Sequence, residues 1–270
     1  HRSMAPLFDL VWLTSHETTY LFKKWGCTTI FQPYAANPRL FRHEPGPEIP
    51  GAVFIGTLYD DRVHRINQLT GAGVQITLYS DGLMSGDKVQ AGTKLTPSGM
   101  ALTLLRLAAF NPGRRIALGR IINKIRSGRN RLVRNDWLNV LPSVPFEEVN
   151  RIYSNFQLSL NITELRDTFH LDPPVHKLHL RTFEIAMCGG LQIAPRVPEL
   201  AGYFADGTEI ILCDSHEDFV AKARYWTRPD KEAERLKIKH QARRRAEREH
   251  TWSHRFQAVL TALLGGHSWF

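Results

Sequence analysis

The fold is decided by residues 52–82, which read AVFIGTLYDDRVHRINQLTGAGVQITLYSDG. Residues 52–55 form a short apolar run typical of a buried strand, and Gly56 follows it directly. Residues 60–69 carry apolar side chains at the spacing of one helix face, and residues 74–79 form a second apolar run. A strand, a glycine turn, a helix and another strand in this order predict a Rossmann-like parallel sheet, with the ligand at the carboxyl ends of the strands.

The rest of the chain continues the alternation of strands and helices. Apolar runs predict three further strands at residues 157–162, 192–194 and 209–213. Helical patterns cover residues 145–156, 198–204, 217–226 and 231–250, and a final amphipathic helix begins at Trp252. We therefore predict an α/β fold: a Rossmann-like parallel sheet with flanking helices, plus a helical insertion.

The domain organisation follows from breaks in this rhythm. Residues 5–34 contain a single βαβ pattern, and residues 35–50 contain four prolines, which is typical of a linker. The main domain is expected at residues 51–263. Residues 84–141 are too long for an ordinary connection in such a sheet, so we interpret them as a helical, basic insertion.

Composition excludes several classes of protein. With 43% hydrophobic residues the chain is not disordered, and it contains no apolar run of the roughly 20 residues that span a bilayer. Three widely spaced cysteines (Cys27, Cys188 and Cys213) indicate buried thiols rather than a disulfide framework or a zinc site. No GxGxxG follows the first strand of the main domain, which argues against a nicotinamide-dependent oxidoreductase.

The positive charge, formally +9, is concentrated in the insertion. Residues 114–134 hold eight Lys or Arg and no acid, and isoleucines and leucines lie between them. A basic amphipathic helix is typical of docking on an anionic membrane surface, and equally of a helix packed on its own domain with an exposed basic face. Aromatic side chains that could stack on bases are not interleaved there, so nucleic acid is not expected as a partner.

The most informative short stretch is residues 176–190, HKLHLRTFEIAMCGG. A helical pattern follows basic groups, contains one carboxylate, Glu184, and is closed by Gly189 and Gly190. A helix that starts beside cations and ends at glycine is a natural anion site at its N-terminus. By itself this pattern is only moderately specific.

Several motifs together resemble one known family. They are RTFEIAMCGG at residues 181–190, RVPEL at 196–200, ILCDSHEDFVAKARYW at 211–226, WSHRF at 252–256, VFIGTLYDDR at 53–62 and FQPYAANPRLF at 31–41. They resemble the C-terminal, donor-binding domain of bacterial GT-B glycosyltransferases, most closely the spore-maturation-protein type within the family-1-like group. FQPYAANPRLF is similar to the interdomain linker of that family.

The resemblance implies roles for individual residues. Glu184 would accept hydrogen bonds from the ribose hydroxyls of a nucleotide-sugar, whereas the alternative is a glutamate that only pairs with Arg181 or the helix dipole. Gly56 and Thr57 would let the backbone approach the diphosphate, although Gly56 is equally explained by a tight turn. Arg62 would neutralise the diphosphate, or else pair with Asp60 or Asp61.

The remaining candidates are weaker. Lys177 and Arg181 would complete a cationic clamp that replaces a metal ion, one of the two being a bystander. Thr182 and Val144 complete the implied donor-binding set, with residues 141–144 holding the base through backbone groups. Many retaining members show two glutamates eight positions apart, but His176 stands where the first would be. His176 is therefore a possible catalytic residue, or simply structural.

The resemblance implies a metal-independent GT-B glycosyltransferase, hexosyl or related, that needs no cofactor. The expected partners are a nucleotide-sugar donor and a glycan or lipid-linked acceptor of bacterial surface polysaccharide biosynthesis. The expected location is cytoplasmic, with attachment at the inner face of the membrane as an option. Only one βαβ pattern precedes the linker, so we expect a reduced or missing acceptor domain, and a chain that binds donor without turnover. The alternative is a non-catalytic module whose basic insertion binds a membrane or nucleic acid.

Overall fold

The central feature of the structure is a six-stranded, fully parallel sheet. The computed structural model describes residues 2–81, 96–108, 111–126 and 131–264. The strands in chain order are β1 (Val11–Leu13), β2 (Thr29–Phe31), β3 (Ile49–Ile55), β4 (Ile76–Tyr79), β5 (Leu138–Leu141), β6 (Phe156–Leu160), β7 (Gln192–Pro195) and β8 (Ile211–Cys213). In the large sheet their order is β5-β4-β3-β6-β7-β8, while β1 and β2 form a separate parallel pair.

Helices connect the strands of the large sheet. They are α1 (Thr19–Lys24), α2 (Asp60–Gly71), α3 (Pro97–Ala108), α4 (Asn111–Arg126), α5 (Val149–Asn155), α6 (Arg181–Met187), α7 (Pro198–Tyr203), α8 (His216–Trp226), α9 (Glu232–Glu249) and α10 (Trp252–Leu263). Short 3-10 turns occur at Ala5–Leu7, His16–Thr18, Phe146–Glu148 and Pro229–Lys231. The predicted α/β class, with its Rossmann-like parallel sheet and flanking helices, is confirmed.

The strand order fixes where a ligand can bind. Strand β3 lies between β4, which follows it in the chain, and β6, which comes much later. The chain therefore leaves β3 in opposite directions on its two sides, and a crevice opens there at the carboxyl ends of the strands. Residues just after β3 and β6 are consequently the ones positioned to meet a ligand.

Both faces of the sheet are packed, because successive side chains of a strand point to opposite faces. Phe54 packs with α2 and α8 residues such as Ile66 and Phe219. Its neighbour Val53 joins the other cluster, with Phe183 of α6 and Ala242 of α9. The strands buried on both faces read as continuous apolar runs, which is why the sequence revealed them.

The predicted end of the insertion is wrong. Residues 138–141, which we assigned to the insertion, form β5 and pair in parallel with β4 from Ile76↔Leu138 to Tyr79↔Leu141. Strand β5 lies at the sheet edge and is only partly buried, so its sequence LNVL lacks the fully apolar signature of the inner strands. The helical character of the insertion is present in α3 and α4, and residues 82–95, 109–110 and 127–130 lie outside the described part of the chain.

Helix α4 packs against the loop of residues 163–180, which follows β6. A Cβ added to Gly119 of α4 would lie 2.4 Å from the carbonyl oxygen of Asp167. Asn123 Nδ2 donates to the Asp167 carboxylate at 2.8 Å, and Arg120 lies 3.6 Å from it. One face of the basic helix is thus bound to the body of the protein.

The segment after β2 meets the start of α10. Ala36 pairs with Thr251 in an isolated bridge, since the Ala36 amide donates to His250 O and the Trp252 amide donates to Ala36 O. The Trp12 ring of β1 contacts Phe256 of α10 at a centroid distance of 5.5 Å. The division into residues 5–34, 35–50 and 51–263 stays a prediction.

All three cysteines are free and buried, as predicted. Within the described part of the chain, helices that combine the length and the apolar character needed to cross a bilayer are not found.

Candidate functional site

The functional candidates reach the carboxyl edge of the sheet through the 163–180 loop. Our prediction of a helix reaching back to His176 is wrong, because α6 begins only at Arg181. His176 lies in an antiparallel bridge with Glu164, and the Lys177 amide donates to Thr163 O at 2.9 Å. These bonds hold the start of the motif extended, so that only its second half becomes helical.

A cavity of about 410 Å³ opens at this edge. Three of the predicted residues line it: Arg62, Arg181 and Glu184. Its other lining residues were not predicted, and most are apolar or aromatic: Tyr34, Phe41, Ile55, Phe146, Val149, Tyr153, His179 and Leu180. The site therefore combines two guanidinium groups and one carboxylate with an apolar wall.

Arg181 is held against the end of β3. Its Nη2 donates to the carbonyl of Ile55 at 2.5 Å, and its guanidinium lies 4.7 Å from the centroid of the Phe54 ring. Its Nε and Nη1 are buried without a hydrogen-bond partner among the described residues. A buried, charged donor with unused hydrogens is costly unless a ligand completes it.

Arg62 reaches the same place from α2. Its Nη1 donates to Thr57 O at 2.7 Å, and its guanidinium lies 4.2 Å from the centroid of the Tyr59 ring. Burial, together with the positive charge of Arg181, lowers the pKa of Arg62 to about 10. Asp60 and Asp61, the alternative partners from the sequence, have side chains outside the described set.

Glu184 is the acidic residue of the cavity lining. Burial raises the pKa of its carboxyl group, although the nearby Arg181 opposes that shift. Among the described ion pairs none joins Glu184 to Arg181, and Arg181 instead donates to the backbone of Ile55. The alternative interpretation of Glu184 as a partner of Arg181 thus receives no support from this geometry.

His179 was not predicted, although it lies inside the quoted motif, two positions before Arg181. Its ring lines the cavity, and its Nε2 is buried without a partner in the described part of the protein. Burial, then the charges of Arg62, Arg181 and Lys177, lower the pKa of His179 to about 4. The imidazole is therefore neutral at physiological pH.

The aromatic wall was also missed. Phe41 and Phe146 meet edge to face, with centroids 5.5 Å apart. Tyr34 and Phe41 belong to the stretch assigned to a linker, and Phe146 lies in the 3-10 turn before α5. Their presence in FQPYAANPRLF was the available signal, but contact with a turn more than 100 residues later depends on tertiary structure.

A sequence model of the glycosyl transferase-like family matches residues 112–261, more than half of the 270-residue chain. The chain belongs to this family. A search of curated proteins finds no match to it.

Solved structures similar to this glycosyl transferase-like chain show the same fold. Sucrose-phosphate synthase from Thermosynechococcus elongatus has 16% identity and a TM-score of 0.56, covering 98% of this chain and 61% of its own. The Anabaena protein HepE, solved with UDP and glucose, has 10% identity and a TM-score of 0.59, covering 98% and 68%. A glycosyltransferase from Rickettsia africae has 9% identity and a TM-score of 0.56, with the same coverage. The chain thus spans about 61% of the length of the synthase.

The other predicted residues of this glycosyl transferase-like chain do not line the cavity. Gly56 lies directly behind Arg181, since a Cβ added there would meet Arg181 Nη2 at 2.5 Å. Thr57 is exposed and contributes its carbonyl to Arg62, and Val144 packs at the rim of the core. Gly56 therefore makes room for an arginine, where we expected it to admit the diphosphate itself.

Three predicted polar residues have other surroundings. Lys177 is exposed and acts on the cavity only through its charge on His179. Thr182 is fully buried and accepts a hydrogen bond from Asn161 Nδ2 at 3.0 Å. His176 Nδ1 is hydrogen-bonded to Thr163 Oγ1 at 3.0 Å and lies near the buried Arg65–Glu164 pair. In this geometry Thr182 and His176 support the loop from behind.

Groups of three or more His, Cys, Asp or Glu side chains with a metal-binding arrangement do not occur among the described residues. The positive charge available at the cavity comes from Arg62 and Arg181.

Proposed function

We propose that this chain binds a nucleotide-sugar and forms the donor side of a metal-independent, hexosyl or related, glycosyltransferase. The subgroup proposed is the bacterial spore-maturation-protein type, acting on a glycan or lipid-linked acceptor of surface polysaccharide biosynthesis at the cytoplasmic side of the membrane. Because the chain spans only part of similar structures, turnover is proposed for the whole protein and donor binding for this chain.

One observation carries this proposal. Arg62 and Arg181 converge on the crevice beside β3 with buried N–H groups unused by the described residues, and Glu184 lines the same cavity. Two guanidinium groups suit the two phosphates of a nucleoside diphosphate. An ionised carboxylate accepts hydrogen bonds from two ribose hydroxyls.

The chemistry follows from this arrangement. In glycosyl transfer the bond between the sugar's anomeric carbon and the diphosphate oxygen breaks, and an acceptor hydroxyl bonds to that carbon. Negative charge develops on the leaving diphosphate as the bond breaks. Arg62 and Arg181, already fixed on the Thr57 and Ile55 carbonyls, stabilise that charge without reorganising.

Two structural neighbours support the choice of ligand. HepE was solved in complex with UDP-containing ligands, and TarM, at 10% identity and a TM-score of 0.57–0.58 in two structures with 9% in one, includes a complex with UDP and α-GlcNAc-glycerol. At such identity the likeness extends to the fold alone.

The insertion offers the means of reaching a lipid-linked acceptor. Leu102 and Leu105 of α3 and Leu118 and Ile121 of α4 are 46–69% exposed, and arginines of α4 surround them. We propose that this face docks on an anionic membrane surface, consistent with the basic sequence of residues 114–134.

The test is thermal unfolding of the 270-residue chain with a panel of nucleoside diphosphates. We expect at least one of them to raise the Tm, because a ligand that binds only the folded state stabilises it. Glu184→Ala should abolish the shift through loss of the ribose contacts. Glu247→Ala, which removes an exposed carboxylate paired only within α9, should preserve it. The proposal fails if no nucleotide shifts the Tm of the wild type, or if Glu184→Ala responds like Glu247→Ala.

A further inference from the structure

We propose that His179 is a third ligand of the donor's diphosphate, its Nε2 bonding to a phosphate oxygen held between Arg62 and Arg181. This inference deepens the proposed nucleotide-sugar function and rests on it. It assigns a role to a side chain that neither the family motif nor charge counting identified.

The first argument is position. His179, Arg62 and Arg181 line the same cavity, although they come from the 163–180 loop, α2 and α6. His179 Nε2, Arg62 Nε and two nitrogens of Arg181 are all buried without partners among the described residues. Four unused polar nitrogens in one crevice call for a ligand rich in acceptor oxygens, because buried polar groups are normally paired.

The second argument is charge. Burial and the adjacent guanidinium groups of Arg62 and Arg181 keep the imidazole neutral at physiological pH, with Lys177 adding to the effect. Glu184 is the acidic group of the cavity lining. A neutral imidazole can donate one hydrogen bond without placing a third positive charge beside two others. The ligand then receives donors from three directions while the unliganded site avoids further repulsion.

The third argument is that the backbone fixes the ring. His179 O accepts a hydrogen bond from the Thr182 amide at 3.1 Å, which ties the residue to the first turn of α6. Arg181, two residues later, is bonded to the end of β3. The histidine and the arginine therefore approach a bound anion as one rigid unit.

The experiment is calorimetric titration of the full chain with inorganic pyrophosphate, UDP and UMP. His179→Ala should weaken pyrophosphate and UDP by about tenfold, the usual effect of losing one hydrogen bond to a charged group. UMP, which lacks the second phosphate, should lose less than about twofold by the same reasoning. His179→Gln retains a donor amide and should recover most of the affinity.

His64→Gln is the matched control, since this histidine of α2 packs on Phe169 outside the cavity. Its affinities should equal those of the wild type. Thermal unfolding of each variant reports whether it is folded, and His179→Gln keeps the test open if the alanine variant is not.

The outcomes separate the two proposals. If the wild type binds pyrophosphate and UDP but His179→Ala and His179→Gln bind them equally well, the role of His179 is overturned and donor binding stands. An equal loss for UMP and UDP also overturns the contact. Pyrophosphate binding that depends on His179, without UDP binding, supports the anion ligand and contradicts the nucleotide-sugar function. Failure of the wild type to bind either probe overturns both.

Discussion

Gly56 shows how one missing side chain shapes the site. Its φ of +141° is a conformation that side chains other than glycine adopt only with strain, and the guanidinium of Arg181 fills the place of its absent Cβ. The residue thus admits Arg181 to the end of β3, where its Nη2 bonds to Ile55. The charge of the cavity depends on this glycine.

We predict that Gly56→Ala costs about 1–3 kcal/mol of stability, because both the backbone conformation and the space are incompatible with a methyl group. It should also weaken pyrophosphate binding severalfold, since Arg181 must move. Urea unfolding and calorimetric titration measure the two effects. Gly202→Ala is the control: nothing lies within 4 Å of its added Cβ, and alanine is the better helix former. Wild-type anion affinity in Gly56→Ala would contradict the argument.

At the residue scale, the sequence predicted Glu184, Arg62 and Arg181 as cavity residues through a motif. It could not identify His179, because its importance depends on a neighbour, Arg62, contributed by a distant helix. Likewise, Thr182 and His176 look like functional polar residues in sequence but are used in hydrogen bonds to Asn161 and Thr163.

At the scale of elements, the start of α10 is joined to the segment after β2 through one histidine. Arg255 Nη2 donates to His250 Nδ1 at 2.9 Å, so the ring hydrogen must be on Nε2, which bonds to Tyr203 O at 3.0 Å. Arg255 also donates to the carbonyl of Tyr34, whose side chain lines the cavity. The neutral imidazole is therefore part of the support of the aromatic wall.

The protein should lose stability in acid partly through His250. Burial, reinforced by Arg255, lowers the pKa of this 4%-exposed residue to about 4 in the folded state, whereas an unfolded histidine titrates near about 6.5. The unfolded chain binds the proton first. The stabilising contribution is consequently complete above about pH 6.5 and is lost as pH falls toward about 4, at up to about 1.4 kcal/mol per pH unit.

Urea unfolding between these pH values tests this. His250→Gln can still donate to Tyr203 and accept from Arg255 but cannot titrate. Its stability should therefore fall with decreasing pH by about one proton less than that of the wild type. Identical pH slopes for the two proteins would show that His250 is not the titrating group.

Element boundaries were predicted well where burial is complete and poorly elsewhere. The inner strands β3, β6 and β7 are apolar on both faces, and α2 and α8 have clear periodicity. Strand β5 was missed because an edge strand carries a weaker apolar signal. The start of α6 was misplaced because the extended form of residues 176–180 depends on pairing with the end of β6, which local sequence does not encode.

At the scale of the whole molecule, the charge is one-sided. Residues 88–135 contain no Asp or Glu, and the described arginines of α4 at 114, 115 and 120 are exposed. Apolar side chains on the same helical pair, above all Leu105 at 69% exposure, stand among them. Basic groups attract an anionic surface, and apolar groups enter its interface.

We predict that the chain sediments with vesicles of phosphatidylcholine and phosphatidylglycerol and is released by salt, because screening weakens the attraction. Leu105→Glu should reduce binding severalfold by adding charge to the inserted face. Leu236→Glu, at a similarly exposed leucine of α9, should not. Equal recovery with vesicles of phosphatidylcholine alone would refute a charge-driven interaction.

The position of β3 beside β6 has a further consequence, for the way the chain folds. Gly51 at β3 bonds to Gln157 at β6 across 106 residues of sequence, so the middle of the sheet closes only after a very long loop has been brought together. Such non-local pairing makes folding slow. Loop-closure entropy grows only logarithmically, however, and doubling the length between the two strands would cost about 0.6 kcal/mol. The folding barrier is therefore set by the topology of the sheet, and the insertion is free to vary in length with little effect on it.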